Sequence, residues 1–337
     1  MKLALIGANG NVGTELCFLL KNDFNLKPIT RNRLGSVFLK HHGFDCTISD
    51  ISNEHDAKES LSDVDVVVIS SYATDVFTGS QTRSSQLINE KIIKNSINFS
   101  PQNSIIIYFS TIRAFSNKID ATTPKGWTKS GYDKEKVTLE KILLSESAKR
   151  KKKSFGLRLG HVYGNNQPRT RDLKKLLSKS ELTVQVKPDT ESNVVHTVTI
   201  KDAILQCLEP NTSPGIYSLV NVPQWTWGNV IDYYKQPHTL VNYKSKKSSN
   251  QKNSVLWDFL KSNKKYLAPL RYYISPKYDT KINKKLSTKR MLTSIASIKT
   301  EIPFHTSLFD YSPIPGPFLK NLKNTKNLLE SYDLNVF

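Results

Sequence analysis

The sequence is poor in cysteine, in acidic side chains and in long apolar runs, and each shortage excludes something. Its three cysteines, Cys17, Cys46 and Cys207, are far apart, odd in number and without metal-ligand spacing. A disulfide framework and a cysteine-based metal site are therefore not expected, and the three read as buried thiols of a reducing cytoplasm. The best apolar run, 64–69, contains Asp65 and falls far short of the ~18 residues of a membrane span. The N-terminus has one lysine before a short strand-like run, which does not read as a signal peptide. No internal repeat is present. Acids are scarce: 29 Asp+Glu face 49 Lys+Arg, a net of +20.

What is present suffices for a folded protein. Hydrophobic residues make up 38 % of the 337 positions and aromatics 9 %, enough for a core and too much for general disorder. The length suggests about two domains, or one large α/β unit with an appendage. The charge is unevenly placed. Residues 1–150 carry 19 basic and 16 acidic groups, net +3; residues 226–337 carry 19 and 7, net +12. Within the latter, 244–290 alone holds 14 basic groups against Asp258 and Asp279. Arguments about a charged partner belong to that stretch, and catalytic arguments belong to the near-neutral half.

Along the first half, strand and helix patterns alternate. KLALI at 2–6 reads as a strand, and Leu16, Phe18, Leu19 and Leu20 suit a buried helix. Further strands are expected at 25–30, 45–49, 64–70, 104–110 and 154–159, with helices at 84–95 and 132–147. The continuous apolar run of the fourth strand suits a parallel sheet covered on both faces. This alternation predicts an α/β fold, a doubly wound parallel sheet of the Rossmann type. After about 165 the rhythm breaks. The expected organisation is a dinucleotide-binding domain over 1–165, with returns around 192–206 and 215–221. A smaller, irregular substrate-binding and basic C-terminal lobe is expected over 166–337.

Gly7, Asn9, Gly10, Asn11, Val12 and Gly13 belong to the run GANGNVG between the first strand and its helix. The first glycine permits the tight turn, the second lets backbone amides approach a pyrophosphate, and the third lets helix and strand pack closely. The GxxGxxG spacing resembles that of the short-chain dehydrogenase/reductase superfamily, in particular its extended branch, the epimerase/dehydratase family that acts on nucleotide sugars. In that family an acid at the end of the second strand binds the adenosine ribose. Arg31 and Arg33 stand there in this sequence, which favours a 2′-phosphate and hence NADP, with NAD as the alternative if the arginines are only solvated. Asp50 and Ile51 resemble the family's Asp–apolar pair beside the adenine.

Tyr132 and Lys136 form a YxxxK at the start of a helix, so both point from one face. A neighbouring cation favours phenolate, which makes Tyr132 a plausible general acid/base for a carbinol–ketone couple. About twenty residues earlier, the strand ends in Ser110 and Thr111. The resemblance implies that Thr111, or its neighbour Ser110, orients the reacting oxygen, while Lys136 binds the nicotinamide ribose. RLGHVYG at 158–164, NVVHTVT at 193–199 and GIYSLVN at 215–221 extend the likeness to about residue 230. His196 reads as a structural histidine that holds a turn.

The residues after Thr111 are Ile112 and Arg113, where dehydratases of the family carry an Asp–Glu pair. Dehydration is therefore disfavoured. The expectation is an enzyme reducing a keto group of a nucleotide-linked or lipid-linked sugar in glycan or polysaccharide biosynthesis. The alternatives are an epimerase with tightly bound NAD and a non-catalytic NADP-binding regulator or scaffold. The partners expected are a small-molecule sugar and a second copy of the chain, since the family often dimerises through helices. In 244–290, aromatic residues interleave with lysines. A solvated lysine-rich lobe is the plainest reading. A peripheral membrane contact at the inner face of the membrane is the sharpest. Nucleic acid is disfavoured because no RNA-binding signature accompanies the charge. The turn-rich segment 302–322 carries no functional reading.

Overall fold

The computed structural model describes residues 1–74, 82–112, 114, 131–164, 167–184, 187–189, 191–221 and 225–243. The segments 244–290 and 302–322, Arg113 and the remaining positions lie outside the described residues.

In chain order the first elements are β1 (Lys2–Ile6), α1 (Asn11–Leu20), β2 (Asn25–Thr30), α2 (Arg33–His41), β3 (Thr47–Ile48), α3 (Glu54–Leu61) and β4 (Val66–Ile69). Next come α4 (Arg83–Phe99), β5 (Ile105–Thr111), α5 (Gly131–Lys149), β6 (Ser154–Leu159) and β7 (His161–Tyr163). The remainder are α6 (Pro168–Leu177), β8 (Glu181–Val184), β9 (Val194–His196), α7 (Thr197–Cys207), β10 (Gly215–Leu219), α8 (Trp227–Tyr234) and β11 (Leu240–Tyr243).

Seven strands form one parallel sheet in the order β10-β6-β5-β4-β1-β2-β3. This is the expected doubly wound sheet. Strand order reverses between β1 and β4, and the crevice beyond their carboxyl ends is where such sheets take ligands. Alternate residues of each strand feed two cores. Leu3, Leu5, Val66, Val68, Ile107 and Phe109 pack with α1 and α7; Ala4, Ile6, Val67, Ile69, Ile106 and Tyr108 pack with α3, α4 and α5. Because both faces are covered, VVVI of β4 is wholly buried rather than alternating.

The strands at 2–6, 25–30 and 154–159 occur as the pattern predicts. The third is only Thr47–Ile48, an edge strand with Ile48 half-exposed, so it has one neighbour to define it. The helix α3 is too polar to be found by apolar period, and α2 leaves its Leu34, Val37 and Phe38 exposed, but each begins after an asparagine cap. Asn32 accepts from the Gly35 amide, and Asn53 accepts from the His55 and Asp56 amides.

Residues 1–174 and 193–225 form one compact unit. The other contains 175–192 and, from 226 onward, the described residues to 243. In it β8 pairs with β11, and α8 starts at a Thr226–Asn229 capping box with Trp227 buried. No described helix is long and apolar enough to cross a membrane.

Candidate active site

The phosphate loop follows β1 directly. Gly7 has φ +80°, and a Cβ there would lie 2.8 Å from Ser71, two residues beyond β4. A Cβ at Gly13 would lie 2.3 Å from the Gly7 carbonyl oxygen. Only glycine permits this approach of α1 to the end of β1. Gly10 caps α1 without a side-chain hydrogen bond, and the first turn contains no acid. The first-turn amides of Asn11, Val12 and Gly13 have no intrahelical acceptor and carry the positive end of the helix dipole. The Asn9 side chain lies against Gly35 at the start of α2.

Arg31 and Arg33 are exposed between β2 and the first turn of α2. A cation at a helix N-terminus opposes the dipole, and α2 has no first-turn acid to offset it. An anion there would offset both. Asp50 accepts hydrogen bonds from the Ser52 amide and hydroxyl at 3.0 and 2.7 Å. Ile51 is buried in the core, and its carbonyl accepts from Asn95. Its side chain is therefore a packing group, not a wall exposed to a ligand.

Tyr132 and Lys136 lie on α5, one turn apart. Lys136 is buried and donates to the Phe109 carbonyl at 2.8 Å. Three rings surround its ammonium: Tyr72 and Tyr108 at 4.5 and 4.6 Å from Nζ to ring centroid, and Tyr132 at 5.8 Å. Tyr132 meets Tyr72 edge to face at 5.1 Å. Burial pulls the Lys136 pKa down to about 7, against the opposing pull of Glu140 and then Glu135. The Tyr72 hydroxyl donates to Glu135 at 2.7 Å, and Asn89 donates to the same carboxylate at 2.8 Å.

Ser110 and Thr111 separate at the end of β5. The Ser110 hydroxyl donates to Glu140 of α5, which also pairs with Arg158 of β6. Ser110 is thus engaged in a buried polar cluster and is not brought to Tyr132 by any described contact. The strand alternates faces, which sends Ser110 towards α5 with Tyr108. His196 caps α7, its Nδ1 accepting from the Val198 amide at 3.3 Å. Burial pushes its pKa down to about 3, so it stays neutral. The nearby Thr199 donates to Asn221 at 2.8 Å.

Sequence reasoning missed Tyr72, Tyr108, Glu135 and Glu140. Glu140 carried a signal, since it follows Lys136 by one turn and Arg158 interrupts an otherwise apolar strand. Tyr72 carried none, because its place depends on the path of the chain after β4. The three cysteines are free and buried, and burial raises their thiol pKa values.

Solved structures resemble the fold at low identity. A UDP-N-acetylglucosamine 4-epimerase from Bacillus cereus is 21 % identical with a TM-score of 0.54, covering 75 % of this chain and 89 % of that one. An L-threonine dehydrogenase from Clostridium difficile is 16 % identical with a TM-score of 0.57, covering 73 % and 84 %. MoeE5, solved in complex with UDP-glucose and NAD, is 15 % identical with a TM-score of 0.53, covering 76 % and 92 %. No curated protein matches the sequence. Residues 1–234, well over half of the chain, match the model of the RmlD substrate binding domain family. With its phosphate loop and its buried YxxxK lysine, the chain belongs to that family of enzymes, within the extended short-chain dehydrogenase/reductase superfamily.

Proposed function

We propose that the chain reduces a keto group of a nucleotide-linked or lipid-linked sugar with NADPH. The observation that carries the reading is the buried Lys136 ammonium on the same face of α5 as Tyr132. A cation there favours phenolate, so Tyr132 can serve as a general acid and base. In the reductive direction Tyr132 donates its phenolic proton to the carbonyl oxygen that becomes the sugar hydroxyl. Thr111, at the carboxyl end of β5, holds that oxygen. Ser110 is left out of this role because its hydroxyl is engaged by Glu140.

The residues present fit a nicotinamide dinucleotide, since Gly10 caps α1 without a side-chain hydrogen bond and no acid stands in its first turn to repel a pyrophosphate. The amides of residues 11–13 hold the pyrophosphate, with Gly7, Asn9 and Gly10 shaping the loop. Arg31 and Arg33 hold the 2′-phosphate, and Asp50 borders the adenine. Lys136 holds the nicotinamide ribose as well as biasing Tyr132. The bound cofactor supplies the hydride.

Native mass spectrometry of the purified protein, followed by NADPH oxidation against a panel of keto-sugar nucleotides, tests this. Exchangeable NADP and Tyr132-dependent oxidation are expected. Tightly retained NAD without net oxidation would make the enzyme an epimerase. NADP binding without turnover of any sugar would favour the regulator. The membrane reading of 244–290 is tested separately by salt-sensitive pelleting with anionic vesicles, and no pelleting at low salt would sink it.

A further inference from the structure

Tyr132, Lys136 and Glu140 follow each other at intervals of four along α5, so they share one face. Each of the last two meets the sheet at a different level. Lys136 reaches the Phe109 carbonyl of β5. Glu140 takes the Ser110 hydroxyl from β5 and a two-pronged contact from Arg158 of β6, Nε to Oε1 at 2.8 Å and Nη2 to Oε2 at 2.6 Å. Glu140 and Arg158 are each only 3 % exposed. One carboxylate thus ties the helix to two adjacent strands. A slip of α5 by one residue would turn this face by about 100° and break every one of these contacts.

We propose that Glu140, held by Arg158 and Ser110, is a positioning residue that sets the phase of α5 on the sheet and places a carboxylate one turn from Lys136 on the face that Lys136 shares with Tyr132. The proposal rests on the assignment of Tyr132 and Lys136 above. The groups facing Lys136 are Tyr108 from β5, Tyr72 from the segment after β4, and Tyr132, Glu135 and Glu140 from α5. Arg158 of β6 faces it through Glu140. Tyr108 stays a neutral phenol, because burial pushes its pKa well above the ordinary value. Glu135 is the second carboxylate, but it is shared with Tyr72 and Asn89. Glu140 is the stronger of the two in its pull on Lys136.

The two ends of the Glu140–Arg158 pair make predictions of opposite sign. Glu140→Gln removes the carboxylate and leaves a guanidinium uncompensated, and both changes disfavour the ammonium. Arg158→Gln leaves the carboxylate uncompensated and favours it. The test is a titration of Lys136 by NMR in cofactor-free protein carrying 13Cε-labelled lysine, the resonance being assigned with Lys136→Met. Glu140→Gln is expected to lower the midpoint by about one unit or more, and Arg158→Gln to raise it. The alkaline limb of the turnover profile should move with it. Midpoints unchanged in folded variants would overturn the proposal. If a single variant does not fold, Glu140→Gln combined with Arg158→Met leaves no unpaired charge, and a lowered midpoint is still expected. If Tyr132→Phe proves fully active, the proposed function fails, yet the titration still reports on Glu140.

Discussion

The loop at 7–13 and the face of α5 at 132–140 are two ends of the proposed site and are built in opposite ways. The loop is made of backbone: glycines that approach closely, and helix amides with no acceptor of their own. The α5 face is made of buried side chains, with Lys136, Glu135 and Glu140 each under 10 % exposed. A backbone site binds a ligand through geometry that few substitutions disturb, apart from those at the glycines. A site of buried charges is sensitive to every partner, because a charge left without its counterpart in a low dielectric is costly. Binding should therefore fail at one end, while rate and pH dependence should fail at the other.

The sharpest way to break that division is Tyr132→Phe. Turnover is expected to fall by about 10²–10⁴-fold, with cofactor affinity unchanged, measured by steady-state kinetics and fluorescence titration. If affinity fell as much as rate, the two ends would not be separable. Gly13→Ala should do the reverse. Its methyl would meet the Gly7 carbonyl, so cofactor affinity should drop by about 10²-fold or more, with some loss of stability. Calorimetric titration checks this.

Removing both arginines, with Arg31→Ala and Arg33→Ala together, should weaken NADPH by about 10–100-fold and leave NADH nearly unchanged. Equal losses for the two cofactors would mean that the arginines do not read the 2′-phosphate. The smallest effect is on stability. Burial pushes the Lys136 pKa down to about 7 in the folded chain, from 10.5 for a free lysine. Between these values the unfolded chain holds the extra proton, so this residue's contribution to stability falls as pH drops from 10.5 and levels off below 7. Lys136→Met should therefore raise the melting temperature by a few degrees (~1 kcal/mol or more) at pH 7 while abolishing turnover. The gain should shrink as pH rises towards 10, as thermal scans across pH would show.

The phosphate loop was legible because its signal is local. Gly7, Gly10 and Gly13 sit between a strand and a helix whose patterns are both visible. The sheet was legible for a related reason, since strands covered on both faces read as apolar runs. Thr111 was preferred to Ser110 only through the family resemblance, the two being adjacent hydroxyls at a strand end. Which of them turns towards α5 depends on the alternation of β5 and on Glu140 being there to receive it. Ile51 was read as an adenine neighbour and lies in the core, because burial depends on α3 and α4 closing over it. The helices α2 and α3 were missed by hydrophobic period, although their asparagine caps were in view.

By itself the sequence determined the parallel α/β fold, the glycine loop and the pairing of Tyr132 with Lys136, since each follows from residues within a few turns of one another. The concentration of positive charge in 244–290 is likewise a property of sequence alone. Only the tertiary structure decided the surroundings of Lys136. Three tyrosines, two carboxylates and Arg158 come together there from the segment after β4 and from β5, β6 and α5, up to 86 positions apart between Tyr72 and Arg158. The electrostatics of a buried ammonium depends on distances between such groups, and folding alone sets those distances.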